Sequence, residues 1–225
     1  TSSVAYSNFV NFATSDPNNP GAATSNYNIP HRFTLRVGYK HEFIDGYTTR
    51  FNVFASANEG RGMSYTFGED IDGYYGDDNT GGGRQLLYVP TVDDASVVYG
   101  PDFDLDAFNA FISSEGLGRG KIASRNGTNG DWWTKVDVRV SQELPAFAEG
   151  HRASAFFVIE NLGNLLNDDW GVLKQGNFVS ESVVEASVNE DGQYVYEEFL
   201  GADQRESWST SASLWEVRVG VSYRF

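Results

Sequence analysis

The feature that most constrains the fold is a strict alternation of apolar and polar residues along residues 215–225. Odd positions in this segment are aliphatic or aromatic, and even positions are polar, charged or glycine. Successive side chains of a β-strand point to opposite faces, so the pattern predicts a strand with one apolar and one polar face. The apolar positions are Trp215, Val217, Val219, Val221, Tyr223 and Phe225.

Similar alternation elsewhere predicts an all-β fold. In residues 31–43, Phe33, Leu35 and Val37 alternate with Arg32, Thr34 and Arg36. The predicted strands cover residues 4–12, 31–43, 48–67, 132–144, 152–161, 177–188, 193–199 and 214–225. A short helix is predicted at residues 104–113, with Asp104 as its N-cap.

Short and long connections alternate between these strands. Short turns are predicted at residues 43–48, 144–152 and 188–194, and long connections at residues 13–29, 68–131, 162–176 and 200–213. Transmembrane β-barrels have short periplasmic turns and long external loops. The sequence therefore predicts about eight antiparallel strands of a transmembrane outer-membrane β-barrel, with a long external loop over residues 68–131.

The negative charge of the chain is concentrated in two segments. The formal net charge is -15, and most of the excess acidity lies in residues 68–131 and 165–211. Both segments fall largely in the predicted external connections. This distribution argues against nucleic-acid binding, which requires a basic surface.

Catalytic patterns are weak in this sequence. His31, His41 and His151 are isolated, without the spacing of metal ligands, and no Gly-x-Ser-x-Gly elbow occurs. The chain also contains no cysteine. We therefore expect no enzymatic role.

One acidic segment has the composition of a calcium loop. Calcium binds several oxygen ligands, often from Asp residues at alternate positions with Gly at the bend. An alternative interpretation is a solvated acidic loop without metal. Calcium is the only cofactor that the sequence suggests, and its candidate ligands are Asp70, Asp72, Asp77, Asp78 and Asn79.

Basic residues are frequent on the polar faces of the predicted strands. They would face the barrel lumen and attract an anionic ligand, or they would pair with acids of neighbouring strands or of a plug. The main candidates are Arg32, Arg36, Lys40, Arg139 and Arg218.

The final strand also resembles the β-signal with which bacterial outer-membrane proteins end. Residues 160–170, Glu-Asn-Leu-Gly-Asn-Leu-Leu-Asn-Asp-Asp-Trp, resemble the Asn-Leu-Phe motif near the end of TonB-dependent receptors. Other stretches are similar to the Oar-like branch, whose members often carry a carboxypeptidase-regulatory-like domain. They are residues 28–33, 87–90, 106–112, 125–127 and 131–133.

The resemblance implies residues 1–225 to be the C-terminal part of a TonB-dependent receptor barrel in the bacterial outer membrane. Its expected function is receptor-mediated uptake of a ligand with energy supplied through TonB. The implied partners are the remaining barrel strands and a plug, the TonB system, the barrel-assembly machinery, lipid and lipopolysaccharide. Residues 215–225 would then act as the membrane-insertion signal.

Two other hypotheses remain open from the residues alone. The first is a complete small eight-stranded outer-membrane barrel with a structural or adhesion role, in which residues 4–12 pair with residues 215–225. The second is a soluble calcium-dependent β-sandwich binding module, in which the apolar faces of two sheets pack on each other.

Overall fold

The computed structural model describes residues 12–16, 19, 21–68, 83–176, 180–201 and 206–225. The described residues fall into two compact units. The meander unit comprises Ile29–Gly60, Asp131–Lys174 and Trp208–Phe225, and the aromatic unit comprises the described residues of Thr1–Asn28, Arg61–Gly130 and Gln175–Ser207.

Short and long strands together account for most of the regular structure. The strands are β1 (Arg32–Ile44), β2 (Tyr47–Asn58), β3 (Gly62–Met63), β4 (Tyr65–Phe67), β5 (Tyr88–Val89), β6 (Val97–Tyr99), β7 (Lys121–Ile122), β8 (Thr128–Asn129), β9 (Trp133–Leu144), β10 (Arg152–Glu160), β11 (Lys174–Gly176), β12 (Glu181–Val188), β13 (Tyr194–Phe199), β14 (Glu206–Trp208) and β15 (Glu216–Arg224). The helices are α1 (Leu105–Ser114), α2 (Leu162–Leu166) and α3 (Thr210–Ser213).

The meander unit is one five-stranded antiparallel sheet in the order β1-β2-β9-β10-β15. Its tight turns carry glycines with positive φ, Gly46 at +77° between β1 and β2 and Gly150 at +82° before β10. Glycine reaches this region without steric cost, so it suits such turns. The all-β, antiparallel part of the sequence prediction is confirmed.

Short turns and long connections alternate in this sheet as the sequence predicts. The β1–β2 and β9–β10 links are short, whereas residues 59–132 connect β2 to β9 and residues 161–215 connect β10 to β15. Because all neighbours are antiparallel, both long connections leave and re-enter at the same end of the sheet. We call this the loop end, and the opposite one the turn end.

Three predicted barrel strands require correction. The strand predicted at residues 48–67 ends at Asn58, and residues 65–67 form β4 in another sheet. The strands predicted at residues 177–188 and 193–199 form the β12–β13 hairpin of that same sheet, in the order β4-β12-β13-β6. The strand predicted at residues 4–12 lies outside the described residues except for residue 12.

Burial explains this correction. Val183 and Val184 are consecutive, yet both are fully buried, as is Tyr196 on β13. Successive side chains of a strand point to opposite faces. In a strand between lipid and water, neither face is covered by protein. In a strand that is covered by protein on both faces, consecutive side chains such as these are both buried. The β4–β12 and β6–β13 pairs are parallel, so the sheet is mixed.

The aromatic unit is organised around a core of tightly packed rings. Tyr196 contacts Phe67, Phe103 and Phe108, with ring centroids between 5.6 and 5.9 Å apart. Helix α1 adds Phe108, Phe111 and Ile112 to this core. Asp104 caps α1 by accepting a hydrogen bond from the Ala107 amide at 2.9 Å, which confirms the predicted helix and its cap.

Much of residues 68–131 is therefore folded rather than an irregular loop. The described part of this segment contains β5, β6, α1, β7 and β8. No helix in the described part of the chain is long and apolar enough to cross a membrane.

Candidate functional site

The apolar face of the meander unit carries rows of side chains that cross the whole sheet. Each member of a row is the direct cross-strand partner of the next, which is the unit of side-chain stabilisation in a sheet. One row consists of Val37, Val53, Val138, Ile159 and Val217, and another of Tyr39, Phe51, Val140, Phe157 and Val219.

This face is strongly exposed on the outer strands of the sheet. On β1, Phe33 and Leu35 are 63% and 59% exposed, and on β15 Val219 and Val221 are 73% and 74% exposed. Single exposed apolar residues are ordinary, but a contiguous patch marks contact with another apolar surface. The sheet therefore presents an apolar surface suited to lipid or to protein.

Four of the six apolar residues of the proposed insertion signal lie along this face, within β15. Val217, Val219, Val221 and Tyr223 are partners of Ile159, Phe157, Ala155 and Ala153 on β10. Trp215 and Phe225 flank the strand, and Phe225 is 97% exposed. The segment thus pairs along one edge only within the described sheet.

Aromatic residues cluster at both ends of the strands. At the loop end, the Phe33 and Trp132 rings stack with centroids 5.9 Å apart. At the turn end, the ring centroids of Phe147 and Tyr223 lie 5.9 Å apart. The hydroxyl of Tyr223 is 2.7 Å from Nδ1 of His151. Aromatic side chains at these two levels are typical of the girdles of a membrane barrel.

The polar face contains the five predicted basic residues. Arg218 on β15 contacts the Glu160 carboxylate on β10, and its Nε lies 3.1 Å from Oε1 of Glu216. Lys135 lies 3.7 Å from Oε2 of the same Glu160. For Arg218, the structure therefore places acids of the same and a neighbouring strand around the guanidinium.

The remaining predicted basic residues have different surroundings. Arg32, Arg36 and Lys40 are exposed on the edge strand β1, and no ion pair joins them to another described residue. Arg139 lies over the Phe156 ring, with its guanidinium carbon 4.7 Å from the ring centroid.

Gly220 makes the arrangement around Phe156 possible. A Cβ at position 220 would overlap the tip of the Phe156 ring, so the ring covers the bare glycine backbone. Phe156 and Gly220 are direct cross-strand partners. The Phe156 ring thereby forms a flat aromatic surface on the polar face, on which the Arg139 guanidinium stacks.

A buried asparagine organises the loop end of the sheet. Asn161 follows β10 in the left-handed conformation, with φ of +54°, and is completely buried. Its amide N–H donates to Oδ1 of Asp137 at 2.9 Å, and its side chain donates to the carbonyls of Gly171 and Ser213. Asn161 thus ties β9 and β10 to Gly171, inside the connection that leads to β15, and to Ser213, near the end of that connection.

Asn161 belongs to the motif at residues 160–170, but sequence reasoning assigned it no role. An asparagine that directly follows a strand, before a helical turn, is a recognisable candidate because asparagine tolerates positive φ. This local pattern could have indicated the left-handed conformation of Asn161. It could not have indicated the hydrogen bonds to the Gly171 and Ser213 carbonyls.

The aromatic unit contains a second polar hub that the sequence did not reveal. Asp94 accepts hydrogen bonds from the hydroxyls of Ser96 at 2.6 Å and Tyr88 at 2.7 Å, and from the Ser96 and Thr91 amides at 3.0 and 3.2 Å. Hydrogen bonds from Ser96 and then Tyr88 hold the pKa of Asp94 well below its usual range. Asp94 therefore acts as a turn anchor before β6.

Several stretches that carry the family resemblance lie in the interior of the aromatic unit. Leu87 and Val89 are fully buried, and α1 supplies Phe108 to the same core. Asn126, which has φ of +51°, bonds Ser64 on one side and Asn26 on the other. These stretches serve the packing and hydrogen bonding of this unit.

The predicted calcium ligands, Asp70, Asp72, Asp77, Asp78 and Asn79, lie outside the described residues. Among the residues that are described, no group of three or more His, Asp or Glu side chains is placed to hold a metal ion.

Comparisons of the chain with protein-family models, with curated proteins and with solved structures give no match.

Proposed function

We propose that the meander unit is part of the transmembrane wall of a TonB-dependent outer-membrane receptor. The observation that carries the proposal is the five-stranded antiparallel sheet with an exposed apolar face and a charged face. Strands of a membrane barrel alternate between lipid and lumen in this manner. The aromatic clusters at both ends of the strands support the same assignment.

The two edge strands of the sheet, β1 and β15, each have one edge without a partner strand in the described sheet. Backbone N–H and C=O groups cannot remain unpaired in hydrocarbon, so β1 and β15 require further strands on their free edges. The remaining strands of the barrel would complete these edges. The polar face, with Arg139 and Arg218, would then line the lumen and contact the plug.

The long connections would capture the ligand. Both leave from the loop end of the sheet, and the aromatic unit is built largely from them. Their acidity makes a cationic or metal-bound ligand a better electrostatic match than an anionic one. Passage of the ligand would follow movement of the plug, with energy supplied through TonB.

Membrane integration can be tested residue by residue, because the chain has no cysteine of its own. We would introduce V219C and S222C separately, attach a nitroxide label to each new thiol, and reconstitute the protein in lipid vesicles. Electron paramagnetic resonance should show the label at position 219 accessible to oxygen dissolved in lipid, and the label at position 222 accessible to a water-soluble nickel chelate. Equal accessibility of both labels to the nickel chelate would overturn the membrane assignment and favour a soluble binding module.

Receptor activity needs a separate experiment in cells. Culture medium would be analysed for compounds that wild-type cells deplete, and the analysis repeated with cells that lack this protein or lack TonB. The proposal expects at least one compound that both deletion strains leave in the medium. Identical depletion by all three strains would contradict the uptake role while leaving the membrane assignment intact.

A further inference from the structure

A concave pocket of about 870 Å³ opens on the polar face of the meander unit, near the turn end. Strands β2, β9, β10 and β15 and the turn between β9 and β10 all contribute to its wall. Its volume falls within the range of small-molecule sites, which is roughly 300–1,000 Å³. Of its lining residues, the proposed receptor function names only Arg139, as a side chain that faces the lumen.

The wall of the pocket carries an excess of positive charge. Its charged side chains, apart from histidine, are Arg50, Arg139, Arg152 and Arg224, and the two acids Glu143 and Glu149. Glu143 is already engaged, because its carboxylate accepts hydrogen bonds from Arg50 at 2.7 Å and from the Thr48 amide at 3.2 Å. Glu143 also interacts electrostatically with Arg152, so the two acids of the wall leave an excess of two positive charges among its four arginines.

Two of those arginines directly oppose each other. Arg152 on β10 is the cross-strand partner of Arg224 on β15, and both side chains line the pocket. Like charges at directly opposed positions of a sheet are destabilising. No ion pair in the described structure neutralises either residue. An anion between them would convert this repulsion into two attractive contacts.

The guanidinium of Arg139 is the third positive group of the pocket, and an aromatic ring restricts its position. Its guanidinium lies over the Phe156 ring, which also lines the pocket. Stacking on a ring limits the freedom of the side chain, so less entropy is lost when the guanidinium binds a ligand. Three guanidinium groups with planar donor arrays suit the oxygens of phosphate or of several carboxylates.

We propose that Arg139, Arg152 and Arg224 form a binding site for a small soluble anion that carries at least two negative charges, such as a phosphate-bearing molecule. The same chemistry occurs in lipid headgroups. However, the pocket lies on the polar face, opposite the apolar rows that include Val217 and Val219, which favours a soluble ligand. The site goes beyond the receptor function and does not depend on it.

The experiment is calorimetric titration of the full chain with inorganic pyrophosphate, in a nonionic detergent and at physiological salt. Saturable binding at one site is expected. Arg152→Gln and Arg224→Gln should each weaken the affinity about tenfold, because each removes one charge-assisted contact. Arg36→Gln is the matched control, since Arg36 lies on the polar face of β1 outside the pocket, and its affinity should change less than about twofold.

Four outcomes would overturn the proposal. Three are absence of saturable binding, an equal loss in Arg36→Gln, and binding of phosphate only when it is presented on lipid vesicles. The fourth is tighter binding of a short poly-glutamate peptide than of pyrophosphate, which would assign the pocket to an acidic polypeptide. Circular dichroism of each variant separates loss of the site from loss of the fold, and neither Arg152→Gln nor Arg224→Gln should destabilise the sheet.

Discussion

The side-chain amide of Asn161 donates a hydrogen bond to the carbonyl of Gly171 at 2.9 Å, and the two residues fit together only because position 171 lacks a side chain. A Cβ there would overlap Oδ1 of Asn161, and Gly171 has φ of +65°. The indole of Trp133 donates to the same Gly171 carbonyl at 3.0 Å. The Gly171 carbonyl, with these two donors, is therefore one of the points that fix the connection after β10.

Gly171→Ala should destabilise the meander unit by about 2–4 kcal/mol, measured as the free energy of unfolding in urea. About 1–2 kcal/mol comes from the left-handed backbone, and the remainder from displacing the buried Asn161 side chain from its partners. Gly150→Ala is the control, because Gly150 has φ of +82° but open space around its Cα. It should show the backbone cost alone, and equal costs for both variants would contradict the proposed fit.

Stability of the aromatic unit should depend on pH through Asp94. Its pKa is lowered in the folded protein by hydrogen bonds from Ser96 and then Tyr88, so the folded state favours the charged carboxylate. Such a group stabilises the fold fully above its unfolded pKa of about 3.9, and the contribution declines as pH falls towards the lower folded pKa.

Asp94→Asn isolates this effect. At pH 6 the wild-type chain should be more stable than the variant, and the difference should shrink steadily below about pH 4. Urea unfolding followed by near-ultraviolet circular dichroism reports on the packed rings of this unit. A difference that stays constant between pH 6 and pH 3 would show that Asp94 does not carry the effect.

Arg139 and Phe156 should be energetically coupled. A double-mutant cycle with Arg139→Gln and Phe156→Leu should give a coupling free energy of about 0.5–1 kcal/mol, the range for an exposed cation–π pair. Arg36→Gln combined with Phe156→Leu is the reference cycle and should give a value near zero, because Arg36 lies on β1 and pairs with Phe54 of β2. Equal coupling in the two cycles would point to a general charge effect.

The sequence predicted the meander strands well because each one has a different environment on its two faces. The alternation at Val217, Val219 and Val221 reflects that difference directly. The same reasoning failed for Val183 and Val184, since a strand that is buried on both faces has no period of two. Their neighbour β13 follows in a hairpin, but their other partner, β4, lies far away in the sequence, and the local pattern contains no information about that parallel pairing.

The candidate sites were less predictable from the sequence than the strands. Arg139 and Arg218 lie on the polar face of the sheet, and their surroundings depend on residues of neighbouring strands such as Phe156 and Glu160. The opposition of Arg152 and Arg224 follows from the register between β10 and β15. Register is set by pairing across the sheet, so residues far apart in sequence acquire a shared environment only once the strands are aligned.

The orientation of β15 in a bilayer gives the last prediction. Val219→Arg places a charge on the apolar face, where Val219 is 73% exposed, and should reduce the free energy of folding into lipid vesicles by about 2–4 kcal/mol near the bilayer centre. Ser222→Arg adds the same charge to the polar face of the same strand and should change that free energy by less than about 1 kcal/mol. Folding is measured by urea titration in vesicles with tryptophan fluorescence. If Ser222→Arg were as costly as Val219→Arg, the apolar face would not be the lipid-facing one, because a charge in hydrocarbon is far more costly than a charge in the lumen.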